Sequence, residues 1–77
     1  MEFFKSKGGG QFFKRVGDRV VIVCKYGFNP SIEVTTYDPK LQVALACQDS
    51  DAAEFAQAYA EVLDKLASYF DSLIAAA

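Results

Sequence analysis

The chain predicts an α+β fold, a three- to four-stranded antiparallel sheet wound as a meander and packed against one long C-terminal helix. Three observations predict it. β-branched and aromatic runs alternate with short glycine, proline and aspartate breaks up to residue 47. From Ala52 to about Ile74 the apolar residues change to helical spacing, with no proline or glycine among them. The breaks between successive runs are short, which favours antiparallel neighbours. Seventy-seven residues make one domain, so residues 1–77 are read as a single unit.

The elements follow in order. Residues 1–10 hold Phe3-Phe4-Lys5 and then Gly8-Gly9-Gly10, and are expected to be flexible or an edge strand. Phe12-Phe13-Lys14 loosely echoes the first aromatic pair. Gly17-Asp18 lies between two strand-prone runs, as a tight hairpin turn would. Arg19 to Tyr26 is compact and β-branched, the strongest strand signal in the chain. Gly27-Phe28-Asn29-Pro30 breaks it, and Ser31 to Tyr37 alternates as a further strand. Asp38-Pro39-Lys40 reads as a turn, with proline pre-set for its second position. Leu41 to Cys47 alternates again and is expected to be a strand. Asp51 caps the final helix, with Glu54 placed as in a capping box. Phe55, Tyr59, Val62, Leu66, Phe70 and Leu73 form its expected core stripe, with Leu63 and Ile74 beside them. The helix, roughly 33 Å long, is expected to cross the sheet. By parity the opposite, open sheet face would carry Arg19, Val21, Val23, Lys25, Glu33, Thr35, Tyr37, Gln42, Ala44, Ala46 and Gln48.

Charge is segregated. Residues 1–25 carry six bases and two acids, a balance of +4; residues 26–77 carry two bases and eight acids, a balance of −6. Apolar residues make up 52% of the chain and eleven are Phe or Tyr. A chain this short buries only about 60% of the surface it exposes when unfolded. The surplus apolar surface is therefore expected to enter a homodimer interface or a binding face.

Catalysis finds little support. With no histidine there is no imidazole base and no common metal ligand. Cys24 and Cys47 stand 23 positions apart, which is no zinc spacing, and are expected to be free thiols, mostly buried. The three glycines lack the strand–glycine–helix context of a phosphate loop. The expectation is a non-enzymatic protein that uses no cofactor and no metal. No run approaches the length of a membrane span and the start lacks a signal-peptide pattern, so a cytoplasmic location is expected, away from membranes.

Two binding sites compete. Glu54, Gln57, Glu61, Asp64, Ser68 and Asp71 recur at steps of three or four along one helix ridge, and Asp49 and Asp51 extend its negative field. Asp49, Asp51, Glu54, Glu61, Asp64 and Asp71 are thus the candidate contacts for a protein partner with a basic surface. The alternative partner is single-stranded DNA or RNA. Lys5, Lys7, Lys14, Arg15, Arg19 and Lys25, interleaved with Phe12 and joined by Tyr37, would supply a positive track with stacking platforms.

Leu41 to Cys47, followed by Asp51-Ala52-Ala53-Glu54-Phe55 and Leu63-Asp64-Lys65-Leu66, gives an element order that resembles the Whirly and Pur-alpha families of single-stranded nucleic-acid-binding proteins. The resemblance covers about the last 60 residues and carries no diagnostic motif. It implies pairing through the helix and strand binding on the open sheet face, by Arg19, Val21, Val23, Lys25 and Tyr37. Small size, acidity and lack of catalytic apparatus resemble instead, in style, phage or mobile-element inhibitors of host nucleic-acid machines, anti-CRISPR proteins among them. The reading taken is a regulatory or inhibitory module acting by direct protein–protein contact.

Overall fold

The computed structural model describes residues 2–26 and 30–76, so the Gly27-Phe28-Asn29 part of the expected break lies outside the described residues. Seven elements succeed one another: β1 (Glu2–Lys5), β2 (Gln11–Val16), β3 (Arg19–Cys24), β4 (Ser31–Thr36), α1 (Pro39–Ala44), β5 (Gln48–Asp49) and α2 (Ala52–Ala76). The strands form one antiparallel sheet in the order β4-β3-β2-β1-β5. The fold is α+β as expected, with five strands rather than three or four.

The first two hairpins follow local chemistry. β2 and β3 meet through the two-residue loop Gly17-Asp18, with Val16 opposite Arg19. Gly17 takes φ +62°, which a side chain would resist, and stands first in the loop as such turns require. The Phe-Phe echo is the two arms of the β1–β2 hairpin, where Phe4 pairs with Phe13. Its three glycines form the loop between the arms. Ser6 closes that loop: its N–H donates to the Gln11 carbonyl at 3.0 Å, and its Oγ accepts from the Gln11 N–H at 3.1 Å.

Both faces of the sheet are covered near its centre. On one face Phe12 and Val23 pack against Phe55, Ala58 and Val62 of α2. On the other Phe4, Phe13, Val20 and Ile22 pack beneath Leu41, Leu45 and Tyr37. The Phe4 and Phe13 rings stack there, 4.8 Å between centroids and 9° from parallel. The expected open face is therefore corrected. Arg19, Val21, Val23 and Lys25 share the α2 side, because Val21 pairs with Val34 and Val23 with Ile32, and Val23 is fully buried. Glu33 and Thr35 fall on the opposite face, one register step from their expected neighbours. β3 is apolar on both sides, so its alternation did not reveal which side meets the long helix.

Leu41 to Cys47 is not a strand. Asp38 caps α1 by accepting the Lys40 N–H at 3.0 Å, and Pro39 occupies the first turn, where its missing N–H costs nothing. Leu41 and Leu45, one helical turn apart, face the sheet, while Val43 is 83% exposed. After the C-cap at Leu45, Ala46 adopts φ +49°. The Cys47 N–H then donates to the Gln42 carbonyl at 2.9 Å and the Ala46 N–H to that of Val43 at 3.2 Å, the paired bonds of a Schellman ending. The chain leaves as β5 and joins the free edge of β1.

α2 is about 37 Å long at the usual rise. The molecule measures 43 Å along its long axis and 21 Å across. The helix thus outruns the sheet. Phe55, Ala58 and Val62 are buried and Leu66 partly so, but Tyr69, Phe70, Leu73 and Ile74 stand exposed on the projecting end. The expected core stripe holds only in its first half, and Tyr59 and Leu63 also lie on the surface.

Two outcomes are expected. Phe13→Ala removes a side chain only 1% exposed and one half of the ring stack, which should cost about 3–5 kcal/mol and lower the thermal midpoint sharply. Ala46→Gly relieves the left-handed strain and should raise stability by up to about 1 kcal/mol, read as a higher urea midpoint with an unchanged slope.

Candidate functional site

The segregated charge of the sequence is partly closed within the fold. Lys5 on β1 meets Glu54 on α2 at 2.8 Å, and Lys25, just past β3, meets Glu61 at 2.8 Å. Both lysines lie on the sheet face that α2 covers, and the two acids sit in the first and third turns of the helix along the flank nearest them. The Lys25 ammonium also lies 5.6 Å from the centre of the Phe12 ring. The hydrogen bond from Lys25 holds the Glu61 carboxyl below its usual range, while partial burial acts in the opposite direction. The same bond raises the Lys25 ammonium. At neutral pH both partners are charged.

The six acids proposed for a basic partner therefore divide. Glu54 and Glu61 are engaged with lysines of their own chain. Asp51 is the helix cap, its Oδ1 accepting the Glu54 N–H at 2.8 Å. Glu54 does not complete the expected capping box; it accepts from the Ser50 hydroxyl and from Lys5 instead. Asp49, on β5, and Asp64 and Asp71, on the outer flank of α2, are exposed and form no ion pair among the described residues.

The basic set does not gather into one track. Phe12 is buried beneath α2, and Lys5 and Lys25 are held by that helix. Arg15 lies on the α1 side, its guanidinium 3.8 Å from the centre of the Tyr37 ring, and contacts Glu2 at 3.5 Å. Tyr37 is half-buried, with its hydroxyl donating to Gln42. Lys7 is exposed in the β1–β2 loop and Arg19 at the start of β3. Lys14 lines an apolar hollow on the α2 side. The aromatic residues meant as platforms are thus core or near-core.

The hollow beside Lys14 was not visible in the sequence. It has a volume of ≈ 640 Å³ and lies between α2 and the outer strands, with Val21, Ile32 and Val34 as its floor and Ala52, Ala56 and Tyr59 as its wall. It is an open, apolar groove. Small residues on one helix flank, followed by large ones further along, were the signal that could have located it. The two cysteines are free and half-buried, and burial raises the Cys47 thiol. Among the described residues no cluster of three or more His, Cys, Asp or Glu could hold a metal ion, and no helix is long and apolar enough to cross a membrane.

Neither a protein-family model, nor a curated protein, nor a solved structure matches this chain. The segment that carried the likeness to Whirly and Pur-alpha proteins includes Leu41 to Cys47, which is helix and turn rather than strand.

The ion pair between Lys25 and Glu61 makes stability depend on pH in a defined direction. Glu61 has its lowered value only in the folded state, so its contribution is present above the ordinary carboxylate value of 4.5 and fades as pH falls through the lowered one. Lys25 contributes below its ordinary 10.5 and loses that contribution as pH rises through its raised folded value. The thermal midpoint of Glu61→Gln should fall below that of the native chain at pH 7, and the two should converge as pH falls through the lowered carboxyl value. A gap that persists in acid would assign Glu61 a role other than this pair.

Proposed function

We propose that this protein is a regulatory or inhibitory module that acts by direct contact with another protein whose contacting surface is basic. The observation that carries this reading is the outer flank of α2. The helix runs on past the sheet, and its outer flank bears Asp64, level with the Val62 and Leu66 packing, and Asp71, on the projecting end, neither in an ion pair among the described residues. Glu54 and Glu61, nearer the body, support the helix by holding it to the sheet. Carboxylates on a rigid helix can meet Lys and Arg side chains arrayed for phosphate, at little ordering cost. That chemistry fits an inhibitor of a nucleic-acid machine, of the kind phages and mobile elements direct against their hosts, working in the cytoplasm.

The dispersal of the basic residues over both sheet faces gives the nucleic-acid alternative less support. Asp64→Lys combined with Asp71→Lys should leave circular dichroism unchanged and reduce retention of the cellular partner on the immobilised chain by about tenfold or more. Equal retention would remove the acidic flank from consideration. Salt-sensitive binding of a labelled single-stranded oligonucleotide, lost on Lys14→Glu with Arg19→Glu, would favour the nucleic-acid reading in its place.

A further inference from the structure

The other flank of α2 has a spacing that the sheet does not use. Ala52, Ala56, Tyr59, Leu63, Leu66 and Phe70 follow one another at alternating steps of four and three, and Leu73 continues the series. This is the 3.5-residue period of a two-helix seam. It runs beside the sheet-facing stripe of Phe55, Ala58 and Val62, and most of it is open to water: Leu63 is 45% and Phe70 57% exposed.

The seam is graded in size, with alanines at its N-terminal end and large side chains at its C-terminal end. Antiparallel pairing of two copies about Leu63 sets Ala56 against Phe70, Ala52 against Leu73 and Tyr59 against Leu66. Apart from the central Leu63 pair, every layer then joins a smaller residue to a larger one. Parallel pairing would set Phe70 against Phe70 and leave alanine layers unfilled.

The groove supplies an independent observation. Its wall is the alanine end of the seam, and its floor includes Val34, 61% exposed. In the antiparallel arrangement the projecting helix end of one copy lies over this floor, so Leu73 and Tyr69 cover Val21, Ile32 and Val34 of the other. Charge agrees. Lys14 and Arg19 lie on this sheet face with no ion pair among the described residues. The incoming end brings the negative end of the helix dipole. The apolar side chains open on the groove and helix end include Val34, Tyr59, Leu63, Phe70 and Leu73, each 39% to 61% exposed.

We infer that a second copy of this chain occupies the groove, forming a two-fold dimer in which the α2 helices pair antiparallel about Leu63. The inference goes beyond the proposed partner contact and does not depend on it, since Asp64 and Asp71 lie off the seam.

Light scattering and sedimentation should give twice the chain mass of 8.5 kDa. Phe70→Asp with Leu73→Asp should give a folded monomer, because both residues are exposed in the single chain. Cysteine crosslinking, with Cys24 and Cys47 replaced by alanine, fixes the geometry. Leu63→Cys should form a covalent dimer on mild oxidation. Ala56→Cys mixed with Phe70→Cys should crosslink, and Phe70→Cys alone should not. A native chain that stays monomeric into the millimolar range overturns the inference. So does a Phe70→Cys self-crosslink, or a dimer that survives the double aspartate change.

Discussion

Strands β2 and β3 direct Phe12 and Val23 toward α2, and Phe13, Val20 and Ile22 toward the α1 segment. Neither face of this hairpin can be left to water, so each needs its own cover. α2 supplies one with Phe55, Ala58 and Val62, and Leu41 and Leu45 supply the other. The remaining architecture follows from that requirement. α1, as a short helix, sets Leu41 and Leu45 on the sheet and leaves Val43 in water, and a Schellman ending turns the chain back so that β5 can close the edge of β1. Only then does Asp51 start the long helix across the opposite side. The fold buries Phe12, Phe13, Val20, Ile22 and Val23 on the two sides of this hairpin and leaves the large apolar residues at the end of α2 in water.

Electrostatics refines this arrangement rather than creating it. Partly exposed ion pairs are individually weak. Two of them along one flank, Lys5 with Glu54 and Lys25 with Glu61, reinforce the rotation of α2 that the packing of Phe55, Ala58 and Val62 sets. That rotation turns Asp64 and Asp71 outward and the alanine-to-phenylalanine seam sideways over the groove. The same helix therefore offers two chemically distinct surfaces, one acidic and one apolar. A dimer built on the apolar flank would display two acidic flanks to a partner, related by the two-fold axis.

Much of the fold was legible in local signals. The Gly17-Asp18 turn, the β-branched run from Arg19 and the helical spacing after Ala52 each depend on residues a few positions apart, and each predicts the element found. Other signals were ambiguous. Leu41 and Leu45 satisfy a two-residue alternation and a helical turn equally well. Asp38-Pro39 begins a β-turn or a helix with the same chemistry. The structure chose the helix because it brings both leucines onto Phe13 and Val20 while leaving Val43 in water.

The sequence by itself determined the class of fold, the Gly17-Asp18 hairpin turn, the existence of the long helix and the presence of acids along it, because these are properties of neighbouring residues. The tertiary structure alone decided which face of β3 meets α2, which acids are spent on Lys5 and Lys25, and where the helix leaves the sheet behind. Those depend on distances between segments far apart in the chain, and on a sheet narrower than the helix laid upon it, neither of which any local spacing encodes.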